Sequence, residues 1–339
     1  MTARLRTSDP ARPGFGRVRH GRGFRYVDTR GKPLADAADR DRIRALVIPP
    51  AWEDVWICPW PNGHVQAIGT DAAGRRQYLY HSRFREQQEA SKHEHVLAVS
   101  ARLPRLRRQI ESDLAGRGLS RDRVLACGAR LLDLGFFRAG GQAYRRDHES
   151  YGLTTLLREH VTCGRQEIHF SYRGKSGQDQ SLTLVDPDAY AVIAALLRRR
   201  ADGPQLLAYW RGGAWHDVQA AELNEYLRGA SGTDLTAKDF RTWHATVLAS
   251  VALAVSTEVV GESATRRHRA VVRAVREVSD YLGNTPTVCR ASYISPRVVE
   301  LFESGTTIAP VLDRLGKDVE YGQPATRGVV EKAVRKLLA

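Results

Sequence analysis

Four residues stand in local settings that suit one kind of chemistry. Tyr293 follows a Leu282-Gly283-Asn284 corner by nine residues, counted from the asparagine, inside the stretch YLGNTPTVCRASYISP. A phenol attacks poorly while neutral, because its ordinary pKa is about 10, so neighbouring cations must favour its ionised form. Cutting a phosphodiester with an enzyme nucleophile needs that oxygen, positive charge around the pentacoordinate phosphorus, and a proton for the departing sugar oxygen. Arginine suits the second role, since it stays protonated and grips two oxygens at once; lysine suits the third. Arg138 lies in GFFRAGGQAY, where Phe136 and Phe137 can anchor the chain while Gly140 and Gly141 let backbone approach an anion. Arg241 lies in LTAKDFRTWHAT, on a helix capped by Thr236 with Phe240 and Trp243 for packing. Lys175 occupies the tip of a hairpin, YRGKSGQD, from which an ammonium can reach into a groove. Each is commonplace alone: a surface arginine, a solvated helix cation, a turn lysine, one tyrosine of twelve. The weight lies in the combination.

Composition bounds the partner. Lysine plus arginine is 52 against 38 for aspartate plus glutamate, a formal charge of +14, which favours a polyanion. Only seven of those cations are lysine, so the chain relies on the bidentate guanidinium. No apolar run of about 18 residues occurs, and the opening MTARLRTSDPARPGFGR lacks an apolar core, so neither a membrane span nor secretion is expected. Cys58, Cys127, Cys163 and Cys289 are scattered without metal-ligand spacing, which points to a reducing interior without disulfide or zinc. The histidines form no ligand set; His93 and His95 alternate in a polar stretch and read as solvated. With no phosphate-binding G-x-x-x-x-G-K-[ST] loop and no acidic cluster, neither a cofactor nor a metal is expected.

The elements that must hold these residues follow from pattern. Residues 1–23, rich in Arg, Gly and Pro, read as a flexible basic arm. Residues 24–90 read as a small, mainly β domain with a short helix in DAADRDRIRAL and a hairpin, HVQAIGTD and RRQYLYH, around a turn at Ala72 to Gly74. A polar linker is expected near residues 86 to 94. Residues 91–339 read as a mainly helical catalytic domain with one hairpin, QEIHFSYRGKSGQDQSLTLV. Helices are expected in DPDAYAVIAALLRRR, DVQAAELNEYLRG, TAKDFRTWHATVLASVALAV, SATRRHRAVVRAVREVSDYLG and SPRVVELFESG. The fold class is α+β.

Taken in order, FFRAGG, YRGKSG, LTAKDFRTWHAT and LGNTP followed by SYISP resemble the catalytic sequence of type IB DNA topoisomerases, especially the compact poxvirus and bacterial form. IPPAWEDVWI and GRRQYLYH also resemble that family's amino-terminal domain, so the likeness runs over roughly residues 24 to 305. The resemblance implies a catalytic domain of the topoisomerase IB and tyrosine recombinase type. It implies Tyr293 as nucleophile forming a 3′-phosphotyrosyl link, Arg138 and Arg241 stabilising the transition state, and Lys175 as general acid. The family's fifth catalytic position is most often histidine and is Asn284 here, whose amide can donate to a phosphate oxygen but brings no charge. Arg75, Gln77, Tyr78, Tyr80 and Tyr144 fall on DNA-facing positions. The resemblance further implies ATP-independent relaxation of supercoiled duplex DNA by a monomer, in a cytoplasmic, nucleoid-associated setting. Two alternatives stay open: a tyrosine recombinase or integrase, disfavoured by the form of TAKDFRTWHAT and by the β-rich amino-terminal domain, and a noncatalytic DNA-binding protein on the same scaffold.

Overall fold

The computed structural model describes residues 4–142, 149–200, 203–260, 263–315 and 324–339. The chain divides into two compact units, Met1–Lys92 and His93–Ala339. The first is mainly β and the second mainly helical, the α+β class expected.

In the first unit, five antiparallel strands lie in the order β2-β1-β3-β4-β5. They are β1 (Phe15–His20), β2 (Gly23–Val27), β3 (Glu53–Ile57), β4 (Val65–Thr70) and β5 (Arg76–Tyr80). Helix α1 (Ala37–Ala45) is started by Asp36, whose carboxylate accepts the Asp39 N–H at 3.0 Å. It presents Ile43 to Leu34, Val55, Ile57 and Ala67 to make the core. The turn between β4 and β5 is built by Asp71, whose carboxylate accepts the N–H groups of Ala73 and Arg75 at 3.0 and 2.9 Å.

One expectation fails in this unit, and another changes form at its end. The basic arm is not an arm: Phe15–His20 form a strand, and the Ser8 hydroxyl, buried, donates to the Val65 carbonyl at 2.9 Å. Arg17 donates to the carbonyls of Ile48, Pro49 and Trp52, so a residue expected as solvated charge ties the strand to the loop before β3. The polar stretch at 86 to 94 does hold the division between the units, but it is helical. Those residues belong to helix α2 (Ser82–Ser100), since glutamate, glutamine, alanine and lysine without glycine or proline favour helix.

The second unit contains α3 (Leu103–Leu114), α4 (Arg121–Gly135), α5 (Pro187–Arg198), α6 (Ala220–Ser231), α7 (Ala237–Val260), α8 (Ala264–Leu282), α9 (Pro286–Ser292), α10 (Pro296–Glu303) and α11 (Val329–Leu338). A three-stranded antiparallel sheet joins them in the order β6 (Val161–Gly164), β7 (Glu167–Arg173), β8 (Asp179–Val185). A second hairpin, β9 (Ala208–Arg211) and β10 (Ala214–Asp217), turns at Gly212 and Gly213, where only one hairpin was expected. Helix α7 belongs to two apolar cores. Phe240, Trp243 and Val247 face α3, α4 and α11, while Ala245, Ala249 and Leu253 face α8, α9 and α10. Such a helix is apolar nearly all round and is fixed from both sides. Arg241 and Thr246 therefore sit on an enclosed stretch of this helix, buried from Asp239 to Val247.

Candidate active site

Arg138 is placed by the way α4 ends. Phe136 adopts the left-handed conformation, φ 56°, which costs a side-chain-bearing residue roughly 1–2 kcal/mol. Two contacts hold it: the ring lies edge-on to His244 at 5.5 Å, and its carbonyl accepts from Arg241. Phe137 then plunges into the core against Phe170, ring centres 4.9 Å apart, and the chain emerges at Arg138. Beyond it the backbone meets residues 152 to 154, with the Leu153 N–H donating to the Arg138 carbonyl at 2.8 Å. A Cβ on Gly152 would meet Gly140 backbone at 2.5 Å, so this approach requires glycine.

Arg241 is buried on α7. The helix begins with the Thr236 N–H and hydroxyl both donating to Asp239, each at 2.8 Å. The Arg241 guanidinium donates to the carbonyls of Phe136 and, at 2.6 Å, Leu282. Its central carbon lies 5.4 Å from the centre of the Tyr293 ring. Burial, and then the charge of Arg138, push its pKa down to about 10, with Tyr293 the strongest opposing influence. The group still carries its charge at neutral pH.

The corner and the tyrosine come from one turn of chain. Helix α8 ends at Gly283, φ 58°, where a Cβ would also meet the Gln180 amide at 2.8 Å. Thr285 caps the short helix α9, its hydroxyl accepting the Val288 N–H at 3.3 Å, with Pro286 in the first turn. Tyr293 closes α9, its N–H donating to the Cys289 carbonyl at 3.0 Å. The Thr246 hydroxyl pins this exit, donating to the Tyr293 carbonyl at 3.3 Å and accepting the Ser295 N–H at 3.2 Å. One helix thus sets both Arg241 and the backbone of Tyr293.

A cavity of about 320 Å³ brings the candidates together: Arg138, Lys175, Arg241 and Tyr293 all line it. Lys175 reaches it from the exposed tip of the β7–β8 hairpin, closed by the Gly174 N–H donating to the Gln178 carbonyl at 2.7 Å. Asn284 is outside the lining and joins through Arg138, which donates to its amide oxygen and to the Gly283 carbonyl. The Asn284 Nδ2 and the Arg241 Nε are buried donors without hydrogen-bond partners. Unmet buried donors cost about 1–3 kcal/mol each, so an acceptor that enters here would be favoured, although Arg130, Arg199 and Arg327 elsewhere also keep an unmet donor. Every acceptor that Arg138 and Arg241 meet among the described residues is a peptide or amide oxygen, none a carboxylate. The cavity is therefore electropositive and built for an anion.

Sequence reasoning missed two groups at the site. Lys238 lines the same cavity, and its spacing in TAKDFR, three residues before Arg241 on one helical face, was the available signal. Tyr172, beside the arginines, is a second phenol whose pKa is raised by burial, against the pull of Arg241 and Arg138. Nothing in its alternating strand sequence separates it from core filling.

In the first unit the expected contact residues divide. The Tyr78 and Tyr80 rings stack at 6.0 Å, and Phe84 and His64 continue the row at 5.4 and 5.0 Å steps. Tyr78 and Tyr80 line a cavity of about 650 Å³ with Arg85 and Gln88. Arg75 and Gln77 instead both donate to the Asp71 carboxylate, at 3.0 and 2.9 Å, which holds that carboxyl's pKa down at about 2, first through the Arg75 backbone N–H. Gln77 also has the strand parity of Leu79, which packs on the core, so aromatic and amide groups occupy opposite faces. Tyr144 lies outside the described residues.

Comparison with known proteins supplies the family. Residues 81–304 match the family described as "Eukaryotic DNA topoisomerase I, catalytic core", and residues 23–71 match "Bacterial DNA topoisomerase IB, N-terminal domain". The "DNA topoisomerase 1B" of Acanthamoeba polyphaga mimivirus is 28% identical over 301 residues, covering 86% of this chain and 88% of that protein. The "DNA topoisomerase I" of Monkeypox virus is 19% identical over 235 residues, covering 69% and 71%. The "DNA topoisomerase 1" of Mycosarcoma maydis is 25% identical over 212 residues, 57% of this chain and 20% of that longer protein. Among the described residues, no helix is long and apolar enough to cross a membrane.

Proposed function

The chain belongs to the type IB DNA topoisomerase family, an enzyme family that changes DNA topology, and on that premise we propose that it relaxes supercoiled duplex DNA through a covalent tyrosyl intermediate. The Tyr293 phenolate attacks a backbone phosphorus, a Tyr293 Oη–P bond forms, and the bond from phosphorus to the 5′ oxygen breaks. Arg138 and Arg241 hold the non-bridging oxygens while charge builds on them, and the Asn284 amide adds a neutral donor. Lys175 protonates the departing 5′ oxygen, and the same groups run in reverse at religation. One phosphodiester is exchanged for another, so resealing requires no ATP, and torsional strain drives the swivel. Binding to chromosomal DNA in the nucleoid follows from the excess of cations, and one chain supplies every group named, so it acts as a monomer.

The observation that carries this reading is that Arg138, Lys175, Arg241 and Tyr293 line a single cavity, with no carboxylate among the described residues bonded to either arginine. End-labelled duplex mixed with the protein and run under denaturing conditions should give a protein-linked strand, mapped by peptide sequencing to Tyr293. Tyr293→Phe should abolish it. An adduct that survives this substitution, or supercoiled plasmid left unrelaxed without ATP by the wild type, would overturn the reading.

A further inference from the structure

The interior of the second unit holds an ion cluster that the cleavage reaction does not use. Arg107 of α3 donates from Nε and Nη2 to the two Asp133 oxygens at 2.8 and 3.0 Å. From Nη1 and Nη2 it donates to the Glu331 oxygens at 2.7 and 2.9 Å. Arg327 pairs with Asp133, the Trp243 indole N–H donates to Glu331 at 3.0 Å, and His244 Nε2 lies 3.4 Å from Asp133. All six side chains are buried. Two carboxylates match two guanidiniums. Burial alone would raise the pKa of each carboxyl, yet Arg107, joined at Asp133 by Arg327, holds both below the ordinary range. The partners come from α3, α4, α7 and the carboxyl-terminal segment that carries α11.

We infer that Glu331 is a positioning residue, through which α11 braces the arginines of the cleavage site. This rests on the reading that Arg138, Arg241 and Tyr293 perform the cleavage. The cluster grips the chain beside both arginines: Asp133 precedes Phe136 by three residues, and Trp243 and His244 follow Arg241 by two and three. His244 is the link, since it lies against Asp133 and its ring supports the left-handed Phe136, whose carbonyl accepts from Arg241. Removing Glu331 orphans the Trp243 indole and half of the Arg107 bonds, and loosens the shared anchor of α4 and α7. The effect falls on geometry at the phosphate, where displacement of about 1 Å can cost 100-fold in rate, and not on the surface that binds DNA.

The test is single-turnover cleavage of end-labelled duplex at saturating protein, with equilibrium DNA binding and thermal melting measured alongside, for the full chain and three variants. Glu331→Gln should cleave at least tenfold more slowly and Trp243→Phe about threefold more slowly, with DNA affinity within twofold of wild type. Val334→Ala, equally buried on α11 but outside the cluster, should melt lower and cleave at the wild-type rate. Wild-type cleavage by Glu331→Gln, or equal slowing by Val334→Ala, would overturn the brace. Should Glu331→Gln fail to fold, Trp243→Phe decides, and an unchanged rate there would overturn it. A wild-type chain that forms no adduct would overturn the functional reading as well, which separates the two failures.

Discussion

The second unit uses buried and half-buried arginine in two opposite ways. Arg107 and Arg327 meet carboxylates, Asp133 and Glu331, so their charge is spent inside the protein. Among the described residues, Arg138 and Arg241 donate to peptide and amide oxygens and to no carboxylate. Removing a guanidinium from water costs several kcal/mol unless another charge offsets it. In the first place the offset is permanent, which makes a structural clamp. In the second it is withheld until an anion arrives, so the field is kept for the phosphate in the transition state. Burial pushes the pKa of Arg241 down, whereas Asp133 overcomes burial to raise that of Arg107; Arg327, although paired with Asp133, is still lowered by burial.

The comparison breaks most readily through paired alanine variants. Arg107→Ala leaves two buried carboxylates short of a partner and should cost about 3–5 kcal/mol of stability in denaturant unfolding. Arg241→Ala removes an unpaired buried charge, and the relief offsets much of what the orphaned carbonyls of Phe136 and Leu282 lose. It should cost no more than about 1–2 kcal/mol in stability and yet slow cleavage about 100-fold, a transition-state loss of ~2.7 kcal/mol. Equal stability losses would erase the distinction between the two pairs of arginines.

Acid titration sharpens it next. Asp133 and Glu331 have folded pKa values below their unfolded ones, so their stabilisation is fully present above about pH 5 and is lost as pH falls through the folded values. Melting temperature should drop as pH falls below about 5 in the wild type, and the gap between wild type and Asp133→Asn should narrow as pH falls through the folded values. Among the described residues, Arg138 and Arg241 bond no carboxylate that would titrate there. A gap independent of pH would show that the cluster is not ionised as described.

Much of this is legible in the chain and some is not, for physical reasons. The α8 and α10 spans follow from apolar spacing and terminal glycine, and the β7–β8 hairpin from strands flanking a glycine turn. The second hairpin is equally readable in WRGGAW, whose paired glycines suit a two-residue turn, but it is short and lies between strong helical patterns that mask it. Arg17 escapes because composition cannot tell a solvated arginine from one that binds three carbonyls. The four lining residues are found from their motifs taken together in order, since each alone is commonplace. The cluster is invisible for the converse reason: Asp133 and Glu331 sit in ordinary helical sequence, 198 residues apart, and only tertiary packing makes them partners. Non-local pairing of this kind leaves no periodic trace.

The smallest effect predicted for a candidate catalytic residue tests whether charge itself is what separates the two regions. Asn284 shares the pocket's geometry without its charge: the amide oxygen accepts from Arg138, and the buried Nδ2 has no partner. Asn284→Ala removes a neutral donor worth about 1 kcal/mol to an anionic oxygen, so single-turnover cleavage should slow only about fivefold, far less than for either arginine. Freed from the amide oxygen, Arg138 keeps its bond to the Gly283 carbonyl and hence its approach to the cavity. A loss of 100-fold in Asn284→Ala would mean that the amide positions Arg138 rather than adding one neutral hydrogen bond. The contrast between matched and unmatched guanidiniums would then have to be redrawn as one between arginines held by side chains on both sides.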